Sequence, residues 1–117
     1  MVDMSNEASF LRLQEQLAGS GVEMATVFGD QALTVQGKIV AVRLDDGVAF
    51  RLGRGTEEEV MALNIPGSGL FDPSRRGHAF RGWVQIPDTA VDTWLGFAQD
   101  AIAFVVRTVL PKGAAKD

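Results

Sequence analysis

The sequence predicts an α+β domain, with an antiparallel sheet of about five strands and helices in the order α-β-β-β-β-α-β-α. Three observations carry this reading. Apolar residues recur at helical spacing near both ends of the chain, and four short runs rich in Val, Ile, Thr and Phe lie between them. The connections between those runs are too short for parallel crossovers, which need a dozen or more residues.

Ser5 or Asn6 is placed to cap a first helix carrying Phe10, Leu13 and Leu17 on one side, and Gly19-Ser20-Gly21 stops it. Four strands follow, at about Met24 to Phe28, Ala32 to Gln36, Lys38 to Leu44 and Val48 to Leu52. Gly29-Asp30, Gln36-Gly37 and Asp45-Asp46-Gly47 join them as tight turns, which makes a β-meander. After Gly53-Arg54-Gly55, Thr56 and Glu59 have the spacing of a capping box, so a short second helix is expected up to Asn64-Ile65-Pro66. The stretch from Gly67 to Gly77 reads as loop, and Ala79 to Ile86 alternates as a fifth strand that Pro87 ends. Asp88 would cap a final helix running to about Leu110, with Val91, Trp94, Leu95, Ala98, Ile102, Val105 and Val109 as its stripe. That helix would be about 34 Å long at 1.5 Å per residue. Phe97, Ala101 and Phe104 form a second apolar line, to be covered either by the first helix or by a symmetric dimer built across Phe97 and Phe104.

The 117 residues fit one domain, spanning 1–117, with order expected from about 5 to 110 and a flexible tail at 111–117. Apolar residues make up 46% and charged residues 22%, as in packed globular proteins. A formal charge of −4 disfavours non-specific attraction to nucleic acid or an anionic membrane, so any such binding needs a local cationic patch. No cysteine is present, which removes thiol nucleophiles and cysteine zinc sites and fits a reducing compartment. The start lacks the basic and apolar regions of an export signal, and Arg107 interrupts the longest apolar run, Ala101 to Leu110. A cytoplasmic protein is expected.

Motifs for catalysis are absent or incomplete. Gly53-Arg54-Gly55 lies between a strand and a helix like a phosphate-binding turn, but a third glycine is missing and Glu57 to Glu59 occupy the helix start. The serine of Pro66-Gly67-Ser68-Gly69 is in a loop, whereas a nucleophile elbow joins a strand to a helix. Asp72, Ser74 and His78 supply the residue types of a triad on one loop without rigid elements to hold it. One histidine cannot build a multi-histidine metal site, so neither metal nor cofactor is expected. Asp45-Asp46-Gly47 is a hairpin turn rather than a catalytic carboxylate pair.

The segment from Gly67 to Pro87 concentrates the rare residues. It holds the only histidine, His78, three of the eight arginines, Arg75, Arg76 and Arg81, and Trp83. These five residues form the candidate binding group. They suit an anion or an acidic protein partner, and nucleic acid less well, since that would need a longer cationic stripe.

Val27-Phe28-Gly29, Gly37-Lys38, Asp45, Gly69-Leu70-Phe71, Gly77 and the run from Trp83 to Pro87 resemble the N-terminal domain of the competence regulator TfoX and its small stand-alone relatives. The family carries a second glycine after Phe-Gly, where this chain has Asp30. The resemblance covers about residues 10 to 108 and implies a two-layer fold, broadly similar to type III secretion chaperones, without catalytic residues. The regulatory role of that family runs through partner proteins and involves a C-terminal domain not present in this sequence. The expected function is a non-enzymatic protein-interaction or regulatory module. A small-molecule or anion-binding protein or enzyme using the Gly67 to Gly77 loop is the alternative, and nucleic-acid binding through Arg75, Arg76 and Arg81 a second one.

Overall fold

Short apolar runs and tight turns build a six-stranded antiparallel sheet in the order β1-β2-β3-β4-β6-β5. The computed structural model describes residues 6–27, 29–72 and 80–109. Helix α1 (Glu7–Gln16) leads through a short 3-10 turn at Ala18–Ser20 into β1 (Val22–Val27), β2 (Asp30–Val35), β3 (Lys38–Leu44) and β4 (Gly47–Arg51). Helix α2 (Glu57–Leu63), β5 (Gly69–Phe71), β6 (Phe80–Pro87) and α3 (Trp94–Phe104) complete the domain. The meander is as expected from its turns. At Gln36-Gly37 both residues take positive φ, 49° and 83°, the twist that a two-residue hairpin requires.

The sheet has six strands rather than five. Gly69 to Phe71, expected as loop, pair with β6 through Gly69↔Gln85, Leu70↔Val84 and Phe71↔Phe80. Three residues are too few to show alternation. Their pairing is instead fixed by β6, which lies between β4 and β5.

Helices and sheet enclose one core. Phe10, Leu13 and Leu17 from the α1 end meet Leu33, Val48, Phe50, Val84 and Ile86 from the sheet and Trp94, Phe97, Ala98 and Ala101 from α3. Fully burying side chains of this size is worth about 1.5–3 kcal/mol each, so this contact is the main support of the two layers. Phe97 is 9% exposed and belongs to that core. The second apolar line of α3 is therefore covered from within the chain, where α1 and α2 both reach the helix.

The final helix is shorter than its stripe suggested. Asp88–Thr93 is a 3-10 segment with a non-helical Ala90 (φ −112°, ψ 30°), and a π turn at Val105–Val109 follows α3. Asp88 does not cap it. Its carboxylate instead accepts a 2.8 Å bond from the Asn6 side chain, and Thr93 Oγ1 donates to the carbonyl of Ala90 within the kink.

Asn6 likewise stands at the start of α1 without capping it through its side chain. Its buried amide Nδ2 donates to Leu44 O at 2.9 Å, Gly47 O at 3.1 Å and Asp88 Oδ1, while its Oδ1 accepts from Arg43 Nη1 at 3.0 Å. One amide thus ties α1 to the β3–β4 hairpin and to the segment before α3. No described helix is long and apolar enough to cross a membrane.

Two predictions follow from these placements. Asn6→Ala should lower stability by about 2–3 kcal/mol, because the carbonyls and guanidinium it serves are left underbonded in a buried site. Urea denaturation should show the midpoint falling at constant slope, and a loss below about 0.5 kcal/mol would refute the role of the amide. Asp100 has its pKa raised, first by burial and then by the neighbouring Glu58 carboxylate. Its charged form therefore costs stability above the folded-state pKa, and that cost is relieved as pH falls through it. Asp100→Asn should melt higher than the parent at pH ~7, with the gap closing as pH falls through and below ~4, where the unfolded aspartate also takes up its proton. A gap that grows on acidification would overturn the assignment.

Candidate functional site

The turn that leaves β4 for α2 is built around one buried carboxylate. Thr56 caps α2, accepting the Glu59 N–H at Oγ1 (3.0 Å) while its hydroxyl donates to the carbonyls of Leu52 and Gly53. In the usual capping box the glutamate would return to the N–H of the capping residue. Here Glu59, 8% exposed, reaches past it: Oε1 accepts from Gly55 N–H at 2.8 Å and Oε2 from Gly82 N–H at 2.9 Å. Bonds from backbone N–H to an ionised carboxylate are of the stronger, charge-assisted kind.

Gly82 sits where the β4–β6 register ends. Its φ is +89°, and a Cβ there would lie 2.8 Å from the Arg54 nitrogen, so no side chain fits. Its carbonyl accepts from both Leu52 N–H and Gly53 N–H, which closes the turn onto β6. On the other side Phe104 packs on Gly53, where a Cβ would fall 2.5 Å from the ring. Phe104, named from sequence as a dimer contact, is thus half-buried against its own chain.

These contacts shape a cleft of about 190 Å³ lined by Arg51, Gly53, Arg54, Arg81, Gly82, Trp83 and Phe104. Arg51 pairs in register with Trp83 across β4 and β6, and its guanidinium carbon stands 6.0 Å from the indole centroid. That is the outer limit of a cation–π contact, so the ring orients Arg51 more than it neutralises it. Phe71 braces Trp83 from another side, with centroids 6.1 Å apart, and meets Phe80 edge-on at 5.8 Å. None of the three cleft guanidinium groups forms a salt bridge or hydrogen bond to a described residue. Since Glu59 already occupies the N–H groups of Gly55 and Gly82, the cleft presents guanidinium donors rather than a backbone cradle.

The sequence-named group divides here. Arg81 and Trp83 line the cleft, whereas Arg75, Arg76 and His78 lie outside the described residues. Ser74, the middle member of the triad, lies outside them too. Arg51 and Phe104 were missed as cleft residues, and Arg54 was read only as part of a turn. The available signal for Arg51 was its outward position beside the inward Phe50 and Leu52.

A second cleft of about 330 Å³ lies between α1 and the start of α3, lined by Ser9, Arg12, Leu13, Gln16, Val91, Asp92, Trp94 and Leu95. It contains one charge of each sign, while the smaller cleft has three cations, which makes the latter the stronger candidate for recognition. Among the described residues no three His, Cys, Asp or Glu side chains gather into a metal-sized group. Comparison with protein-family models, curated proteins and solved structures returned no match.

Glu59→Gln tests the architecture of the cleft. It places an amide NH₂ against one of two N–H donors and should cost about 2 kcal/mol. Amide hydrogen exchange at Gly55 and Gly82 should accelerate relative to the core strands, and unchanged protection at both would refute the clamp.

Proposed function

We propose that this protein is a non-enzymatic interaction module whose Arg51, Arg54, Arg81 and Trp83 cleft docks an acidic group on a protein partner. The observation that carries this reading is three arginines lining one small concavity, with no carboxylate partner among the described residues, in a chain whose formal charge is −4. Keeping three like charges together has an electrostatic cost, which an anionic partner relieves.

Size argues for a partner's side chain over a free ligand. Small-molecule sites usually enclose about 300–1,000 Å³, and this cleft holds about 190 Å³. Planar guanidinium forks suit oxyanions, and the half-buried Trp83 adds an apolar edge of the kind found at interface anchors. The net negative charge works against long polyanions, so nucleic acid suits the chain less well. The reading agrees with the partner-mediated role implied by the TfoX-like residues and with a cytoplasmic setting.

A fluorescent glutamate-rich peptide tests it by polarisation. Binding should weaken several-fold when salt rises from about 50 to about 300 mM, as screening shortens the reach of the arginines. Replacing both Arg54 and Arg81, which are exposed, with alanine should reduce affinity about tenfold or more, the loss expected for charged hydrogen bonds. Absence of binding, or binding that the double substitution leaves unchanged, would overturn the proposal.

A further inference from the structure

The geometry points to a phosphorylated side chain, a phosphomonoester on a partner protein, as the group that the arginine cleft is built to hold. This inference rests on the proposed docking of an acidic group and specifies its chemistry.

Charge balance is the first argument. Arg51, Arg54 and Arg81 bring three positive charges to the cleft, and Glu59, bound to the N–H of Gly82 in its wall, brings one negative charge. The surplus is two positive charges. A carboxylate side chain would neutralise one of them, whereas a phosphomonoester at neutral pH carries about −1.5 to −2.

Donor geometry is the second. A carboxylate has two oxygens with about four acceptor sites in one plane, enough for two guanidinium forks, and would leave the third unmatched. A phosphomonoester presents three terminal oxygens in a tetrahedral array, so three forks arriving from β4, the turn after it and β6 can each find an acceptor. The three arginines stand on separate segments that Glu59 and Gly82 hold in fixed relation. Their convergence on one place favours one compact dianion over a run of acidic residues spread along a chain.

The cleft walls give the third. Trp83 and Phe104 flank the cations, so the apolar stem of a modified side chain has a surface to lie on. Nucleic acid would instead present monoanionic diesters at regular spacing and would need cations beyond one cleft.

The test compares peptide libraries with degenerate flanks around a central phosphoserine, glutamate or serine, each presented to the intact chain at pH ~7.5 and ~5.5, alongside a single-stranded oligothymidylate. The phosphoserine library should bind at least about tenfold more tightly than the glutamate library, and the serine library not at all. Phosphoserine binding should weaken several-fold at pH ~5.5, because the second phosphate pKa is near 6 while the guanidinium groups keep their charge. Glutamate binding should change little between the two pH values. The combined Arg54→Ala and Arg81→Ala variant should abolish the phosphoserine preference. Equal affinity for glutamate and phosphoserine, or a preference that does not respond to pH, would overturn the phosphate inference and leave acidic docking standing. Absence of binding by every anionic library would remove both. Oligothymidylate bound as tightly as the phosphopeptides would replace the inference with recognition of a phosphodiester backbone.

Discussion

The carboxylate of Glu59 joins three parts of the chain: α2, the turn that precedes it and β6. It caps the approach to α2 through Gly55 and holds β6 at Gly82, where the strand departs from regular pairing. Without an acceptor there, a buried N–H of β6 would be stranded at the point where the β4 register ends. A bulge of this kind turns side chains away from the ordinary pleat, and here it delivers Arg81 and Trp83 to the same cleft as Arg51 and Arg54. The concave shape therefore depends on an acid placed behind the arginines. That acid also limits how much positive charge the surface has to bear.

The elements were largely legible in the sequence because they are dictated locally. Turn residues fixed the meander, and the spacing of Phe10, Leu13 and Leu17 fixed α1. Where the reading departed from the structure, a long-range partner had taken a residue from its local role. Asn6 and Asp88 have the chemistry of helix caps, yet each spends its side chain on the other. With Asp88 engaged there, the chain enters α3 through a 3-10 segment. The strand β5 failed to show because only its neighbour β6 gives three residues a strand conformation.

The site was half legible for a similar reason. Arg81 and Trp83 attracted notice because basic and aromatic residues cluster beside them in the sequence. Arg51 could join them only through the pairing of β4 with β6, strands separated in sequence by α2 and β5. Phe104 comes from the end of α3, and its position over Gly53 depends on the absence of a side chain there. Local composition can suggest a cationic segment, but the concavity belongs to the topology.

The Asn6 bond to Asp88 spans 82 positions of the chain, and those to Leu44 and Gly47 span 38 and 41. During synthesis the meander from β1 to β4 is complete long before Asp88 has been added. The amide at the start of α1 can meet the hairpin earlier, but its full set of partners must wait until Asp88 has been made. Closure of the domain is thus a late event in the life of each new chain. Helix α1 receives its final anchor from a segment made 82 positions later.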